Sequence, residues 1–140
     1  MIDGLVLADG LRAQIAREAA ESFPRECCGL IEGILSGTMM HAVMLHPSAN
    51  LASAPDRFEI DPRTHITLLR RLRGTAHGLI GCYHSHPNGQ PAPSARDLDG
   101  ANEEGFLWLI QAVQQGNSGE LGAFVFTQNR FRPLCLVSCP

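Results

Sequence analysis

Lysine is absent from the sequence. All eleven basic residues other than histidine are arginines, set against 14 acidic ones for a net charge of -3. A nucleic-acid binder normally carries a basic stripe, and none is present. Arg70, Arg71 and Arg73 do cluster, on what reads as the solvated side of a helix. Long apolar runs are missing too. A membrane-spanning helix needs about 18 or more consecutive apolar residues, so no membrane partner is expected. The opening "MIDGLVLADGLRAQ" has acids where a secretory signal has basic residues, and no extended apolar stretch; the expectation is a cytoplasmic protein. Cysteines number five, and in a cytosolic chain they are free thiols, ligands or redox groups rather than a disulfide frame. Cys27 and Cys28 are adjacent, so on a strand they face opposite ways and cannot grip one ion together. Cys135 and Cys139, in the last strand and the tail, are spaced too widely for C-x-x-C.

What the sequence does have is the material of a core. Hydrophobic residues make up 44% of the 140 and charged ones 18%, the balance of one folded domain and not of a disordered chain. "ADGLRAQIAREAAESF" places Leu11, Ile15, Ala19 and Phe23 four apart, an amphipathic helix that Pro24 ends. "CCGLIEGILSG" and "TMMHAVMLHP" are apolar runs broken at Ser36-Gly37, a predicted hairpin. "NLASAPDRF" reads as a loop. Asp61 then caps a second helix with Pro62 at its first position; Ile66, Leu69 and Leu72 mark its expected buried stripe, and Gly74 its end. A strand is predicted over 77–86 and a short polar helix at "SARDLDGANE". Three more strands are expected at "FLWLIQAV", "LGAFVFT" and "FRPLCLV". The order predicts an α/β fold of the α+β kind, a single domain over 1–140 with a curved mixed sheet flanked by helices.

Two of the six histidines, His84 and His86, stand at alternate positions of the predicted central strand. Residues two apart on a strand share a face, roughly 6.5 Å apart at Cα, so both imidazoles can reach one ion at about 2.0–2.1 Å. Asp97, in the next segment, can add a carboxylate oxygen. Three protein ligands leave zinc an open fourth position, the mark of a catalytic site. The plainer reading of Ser94-Ala-Arg-Asp97 is a helix capping box. Yet that helix has only Leu98 as a sizeable apolar residue before Phe106, so something besides its own packing must hold it. The two readings are compatible. Cys82, two residues before His84, shares its face and packs more simply as a small apolar residue than as a nucleophile. His41, His46, His65 and His77 show no partners in the sequence.

His84-x-His86, seven residues, then Ser94-x-x-Asp97, with "HSHP" intact, resembles the signature of the JAMM (MPN-type) zinc metalloproteases. "GLIGCYHSHP" is similar to that family's central strand. "PRECCGLIEG" is similar to its segment in which a glutamate precedes a small-Cys-Gly-apolar strand, which falls on Glu26. The resemblance implies an MPN/cytidine-deaminase-like fold, with His84, His86 and Asp97 binding Zn2+. It further implies that Glu26 moves the proton of the attacking water and that Ser94 stabilises the oxyanion. Glu32, Glu59 and Asp61 compete with Glu26 on position alone. The resemblance also implies a short, bacterial-type peptidase or isopeptidase. Its substrate would be a ubiquitin-like or sulfur-carrier protein with a Gly-Gly tail, and it allows a homodimer. The alternative is a non-catalytic MPN-type binding scaffold.

Overall fold

A computed structural model describes residues 1–140. Its frame is one eight-stranded mixed sheet. The strands, in chain order, are β1 (Gly4–Ala8), β2 (Cys28–Ser36), β3 (Met39–Ser48), β4 (Gly78–His86), β5 (Leu107–Gln114), β6 (Asn117–Thr127), β7 (Arg130–Pro133) and β8 (Cys135–Cys139). In space they run β7-β6-β5-β4-β2-β3-β1-β8. The pairs β4·β5, β1·β3 and β1·β8 are parallel. The β2–β3 hairpin turns at Gly37, whose φ of +63° suits the residue that has no Cβ.

Three helices pack around the sheet: α1 (Asp9–Ser22), α2 (Pro62–Leu72) and α3 (Ala95–Gly100). On the α1 face the core includes Leu5, Ile15, Ala19, Ile31, Tyr83 and Leu109. Tyr83 is fully buried and its hydroxyl donates to Glu18 at 2.7 Å. The ring has room only because Gly29 lies opposite it on β2, where a Cβ would sit 2.5 Å from the ring. On the α2 face Leu30, Leu68, Leu72, Cys82, Trp108 and Phe126 form a second cluster. Successive residues of β4 thus serve opposite faces, Cys82 one and Tyr83 the other, as the pleat requires.

The single-domain mixed sheet agrees with expectation, and four local readings need correction. The strand β1 was not expected; its five residues run straight into α1 without a turn residue between them. "FRPLCLV" is two strands, broken at Leu134, and Cys139 lies on β8 with Cys135. Helix α2 begins as expected, with the Asp61 carboxylate accepting the Arg63 N–H at 2.9 Å. Its buried stripe, however, is Leu68 and Leu72, while Ile66 and Leu69 are about half exposed. The helix rests on the sheet along one row of four-residue steps, so apolar residues off that row stay in solvent. No helix is long and apolar enough to cross a membrane.

Candidate functional site

Register brings the pieces together. Cys28 of β2 pairs with His84 of β4, and Ser85 N–H donates to Cys27 O at 3.1 Å, so the antiparallel pairing continues past the end of β2. Two places further along, Glu26 comes opposite His86 on the same face. The parallel pair β4·β5 must be joined by a crossover, and α3 lies in it, carrying Ser94 and Asp97 back over the C-terminal end of β4. Ligand sites in sheets with parallel strands favour that end.

Glu26, His84, His86 and Asp97 are all buried, between 0% and 6% exposed. The two Nε2 atoms lie 3.0 Å apart. Asp97 Oδ1 is 3.1 Å from His84 Nε2, and Asp97 Oδ2 is 3.1 Å from His86 Nε2. One carboxylate oxygen of Glu26 falls within 4.8 Å of both histidine nitrogens. Ser94 and Asp97 do make the capping box: Ser94 Oγ accepts the Asp97 N–H at 3.1 Å, and Asp97 Oδ2 accepts the Ser94 N–H at 2.9 Å. The cap is therefore made by the Ser94 side chain itself, while Asp97 turns inward at the same time. Leu98 is 44% exposed, so α3 is held by these polar contacts and by the Arg96–Asp56 ion pair, not by apolar packing.

The site's electrostatics split the two carboxyls. Burial pushes Glu26 up to about 7, with Asp97 adding to the rise and His86 opposing it. Burial also disfavours charge on Asp97, but hydrogen bonds from His84 and His86 and from the Ser94 backbone outweigh it and hold this carboxyl well below the ordinary range. Burial lowers His84 and keeps it neutral against the pull of Asp97. For His86 burial also pulls downward, yet Asp97 and Glu26 together win and raise it. One carboxyl is held ionised and the other is pushed toward neutrality.

These residues fit a divalent cation. His86 Nδ1 bonds Gln90 O at 3.0 Å, so Nε2 is the nitrogen turned into the site, toward His84 Nε2 and the Asp97 carboxylate. Imidazole protons bridge these atoms to Asp97; a divalent cation can replace those protons and take the same buried nitrogens and oxygens as ligands. Tetrahedral ligands at zinc distances stand about 3.4 Å from one another, close to the 3.0–3.1 Å observed here.

Several residues of the neighbourhood were not legible in the sequence. Phe58 stacks on the His84 ring at a centroid distance of 4.2 Å and 20° between planes. Asn50 ties the loop after β3 to the backbone of Glu26, its amide donating to Glu26 O at 2.9 Å. A cavity of about 600 Å³ opens on the α2 side, lined by Glu26, Phe58, Ile60, Phe106 and Trp108 among others. A second hollow, of about 520 Å³, lies toward Pro24, Pro87 and Ser94, and both hollows share Glu26, Asp56 and Arg96.

Asp61 caps α2 and Glu59 lines the larger cavity. Glu32 accepts from His46 at 2.9 Å and His77 at 2.5 Å, so those two histidines do have a partner. Glu32 pairs in register with Leu79, five residues before His84 and thus roughly 17 Å along the strand. Burial raises the Cys27 and Cys28 thiols to about 11 and about 12 and the Cys82 thiol well above its ordinary value. Cys82 packs in the α2-side core. None of the three is poised as a thiolate.

Comparison with known proteins gives the chain a family. The family model for prokaryotic homologs of the JAB domain matches residues 8–126. A desampylase of Haloferax volcanii is 31% identical over 127 residues, covering 90% of this chain and 87% of its own. A probable TtuB-protein conjugate cleaving protease of Thermus thermophilus is 30% identical over 114 residues, covering 81% of this chain and 68% of its own. A solved protein from Desulfitobacterium hafniense superposes with a TM-score of 0.83 at 25% identity, over 96% of this chain and 92% of that one. A JAB1/MPN domain protein from Archaeoglobus fulgidus shares the fold, with a TM-score of 0.59 at 18% identity over 96% and 98% of the two chains. With a match across most of its length, and with the sheet that carries the family, the chain belongs to the prokaryotic JAB-domain branch of the JAB/MPN proteins.

Proposed function

We propose that the protein is a zinc-dependent hydrolase. It cuts the amide or isopeptide bond that follows the C-terminal Gly-Gly of a ubiquitin-like or sulfur-carrier protein. The observation that carries the reading is the convergence of four buried side chains: two histidine Nε2 atoms 3.0 Å apart, each 3.1 Å from an Asp97 oxygen, with a Glu26 oxygen within 4.8 Å of both nitrogens. His84, His86 and Asp97 hold the ion. When bound, zinc supplies Lewis acidity, lowering the pKa of water toward ~7 and polarising a carbonyl. Glu26, within 4.8 Å of both histidine nitrogens, accepts the proton of the attacking water at its carboxylate and returns it to the leaving amine, a role worth about 10²–10⁴-fold. The Ser94 hydroxyl accepts from the Asp97 N–H, which leaves its own proton free to donate to the oxyanion as charge develops there. The substrate class is supported by the relatives' activities, on a sampylated or TtuB-conjugated protein.

The test pairs metal analysis with mass spectrometry. About one zinc per chain is expected, together with trimming of a panel of Gly-Gly-tailed carrier proteins that a chelator abolishes. Full activity in zinc-free protein would overturn the reading. Zinc-free protein that binds the carriers without cutting them would mark a scaffold instead.

A further inference from the structure

The two histidines of the site are held in place by different means. A histidine that ligates a metal is normally aimed by a hydrogen bond at its other ring nitrogen. His86 has one, from Nδ1 to Gln90 O at 3.0 Å. His84 has none: its Nδ1 is buried without any hydrogen-bond partner. What fixes the His84 ring instead is aromatic packing. Phe58 lies flat on it, and Trp108 meets it edgewise at 5.8 Å and 87°.

Phe58 does not come from a helix or strand. It is delivered by the loop between β3 and α2, most of whose residues are exposed; only its last part, with Phe58 and Ile60, packs against the α2-side cluster. The loop has the form of an Ω-loop, with its ends drawn together. Its neck is closed by the Asn50–Ile60 bridge and by Leu51 N–H donating to Glu59 O at 2.9 Å. Inside the neck, the Asn50 side chain makes every bond its amide can make. Its Oδ1 accepts from Ala52 N at 2.9 Å and Glu59 N at 3.0 Å. Its Nδ2 donates to Arg57 O and to Glu26 O, both at 2.9 Å. One side chain thus fixes the backbone next to Phe58 and the backbone of Glu26.

We propose that Asn50 and Phe58 are positioning residues of the site. Asn50 shapes the loop that lays Phe58 on His84, and Phe58 takes the place of the hydrogen bond that His84 Nδ1 lacks. The inference rests on His84 holding an ion, as above, and adds the reason its ring stays aimed. Removing either contact leaves the Trp108 edge and the contacts at Nε2 to aim the His84 ring, so its orientation about χ2 loosens and Nε2 is held less well beside Asp97 and His86.

Four variants test this: Phe58→Leu, which keeps apolar bulk but no flat face; Phe58→Tyr, which keeps the face; Asn50→Asp, which keeps the acceptor and loses both donors; and the double variant Asn50→Asp/Phe58→Leu. The first readout needs no metal. In the native protein the His84 ring protons should be displaced upfield in the NMR spectrum by the ring current of Phe58, stacked at 4.2 Å, and Phe58→Leu and Asn50→Asp should both remove that displacement. The second is zinc affinity by competition with a chromophoric chelator, with the Co2+ visible spectrum as its geometric counterpart. Phe58→Leu and Asn50→Asp each weaken zinc binding about tenfold, the usual effect of losing an outer support. Phe58→Tyr binds as the native chain does. The double variant is no worse than the poorer single one, because both act through one element. Native zinc affinity and Co2+ spectrum in Phe58→Leu overturn the role of Phe58. An undisplaced loss pattern, with the His84 resonances unmoved in Asn50→Asp, overturns that of Asn50, as do additive losses. A native chain that takes up no zinc overturns the zinc reading and this inference with it, whereas native uptake with unchanged variants overturns this inference alone.

Discussion

Replacing Glu26 by glutamine should make the metal-free protein more stable while removing the proposed proton carrier. The reason lies in the burial of that carboxyl beside Asp97, which pushes it from 4.5 to about 7. Each tenfold change in acid strength is about 1.36 kcal/mol, so the rise corresponds to about 3 kcal/mol. Glu26 borders open hollows where water screens it, which reduces the figure to about 2 kcal/mol. The sign follows from linkage. A carboxyl whose folded pKa is raised contributes no penalty below its unfolded value of 4.5, and the penalty grows as pH rises until it is complete above about 7. Glu26→Gln carries no such charge at any pH. Urea unfolding of chelator-treated protein at pH 4.5 and pH 8 should therefore show little difference between the two chains in acid. At pH 8 the variant should lead by about 2 kcal/mol, with an unchanged m-value. Equal stabilities at pH 8 would refute the argument, because Glu26 would then be either well solvated or already paired.

Three further outcomes follow from the geometry. Asp97→Ala, like His84→Ala or His86→Ala, should leave purified protein with less than stoichiometric zinc, since three ligands leave no redundancy; undiminished zinc in Asp97→Ala would remove that residue from the site. If the loop over 48–58, with its small Ala49, Ala52, Ser53 and Ala54, flanks the substrate tail closely, a carrier ending in Val-Val-X should be cut far more slowly than one ending in Gly-Gly-X; comparable kcat/KM for the two would end that idea without touching the zinc chemistry. Gly29→Ala should lower stability by about 1–3 kcal/mol, the usual cost of overpacking, because its Cβ would meet the buried Tyr83 ring at 2.5 Å; an unchanged urea midpoint would show that the ring has room to move.

The parts of this structure that sequence made visible are those written in local chemistry. Ser36-Gly37 marks the hairpin because a turn needs residues that tolerate its backbone. Asp61-Pro62 marks the start of α2 because an open helix end needs an acceptor and can do without one donor. His84 and His86 share a face because strand side chains alternate. The hidden parts depend on what lies across the sheet. His46 and His77 meet Glu32 only through the pairing of β2 with β3 and β4, which shifts register at a bulge beside Glu32. Phe58 meets His84 only because a loop folds back on itself. The misplaced stripe of α2 shows the same limit: Ile66 and Leu69 satisfy helical spacing as well as Leu68 and Leu72 do, and only the angle at which the helix meets the sheet decides between the rows.

The position of β1 bears on how the protein is made. This strand pairs with β3 on one side and with β8 on the other, Gly4 standing beside Cys135. During synthesis its first neighbour is available once residue 48 has emerged, but its second is not until residue 139. At about 5–20 residues per second, the strand waits on the order of 5–20 s as an open edge of apolar sequence. Such edges recruit other chains. The nascent protein should accordingly be most prone to aggregation, and most dependent on chaperones, in the interval before its last strand arrives. Ribosome-bound chains stopped just short of residue 135 should be captured by a chaperone, and chains extended well past residue 139 should be released.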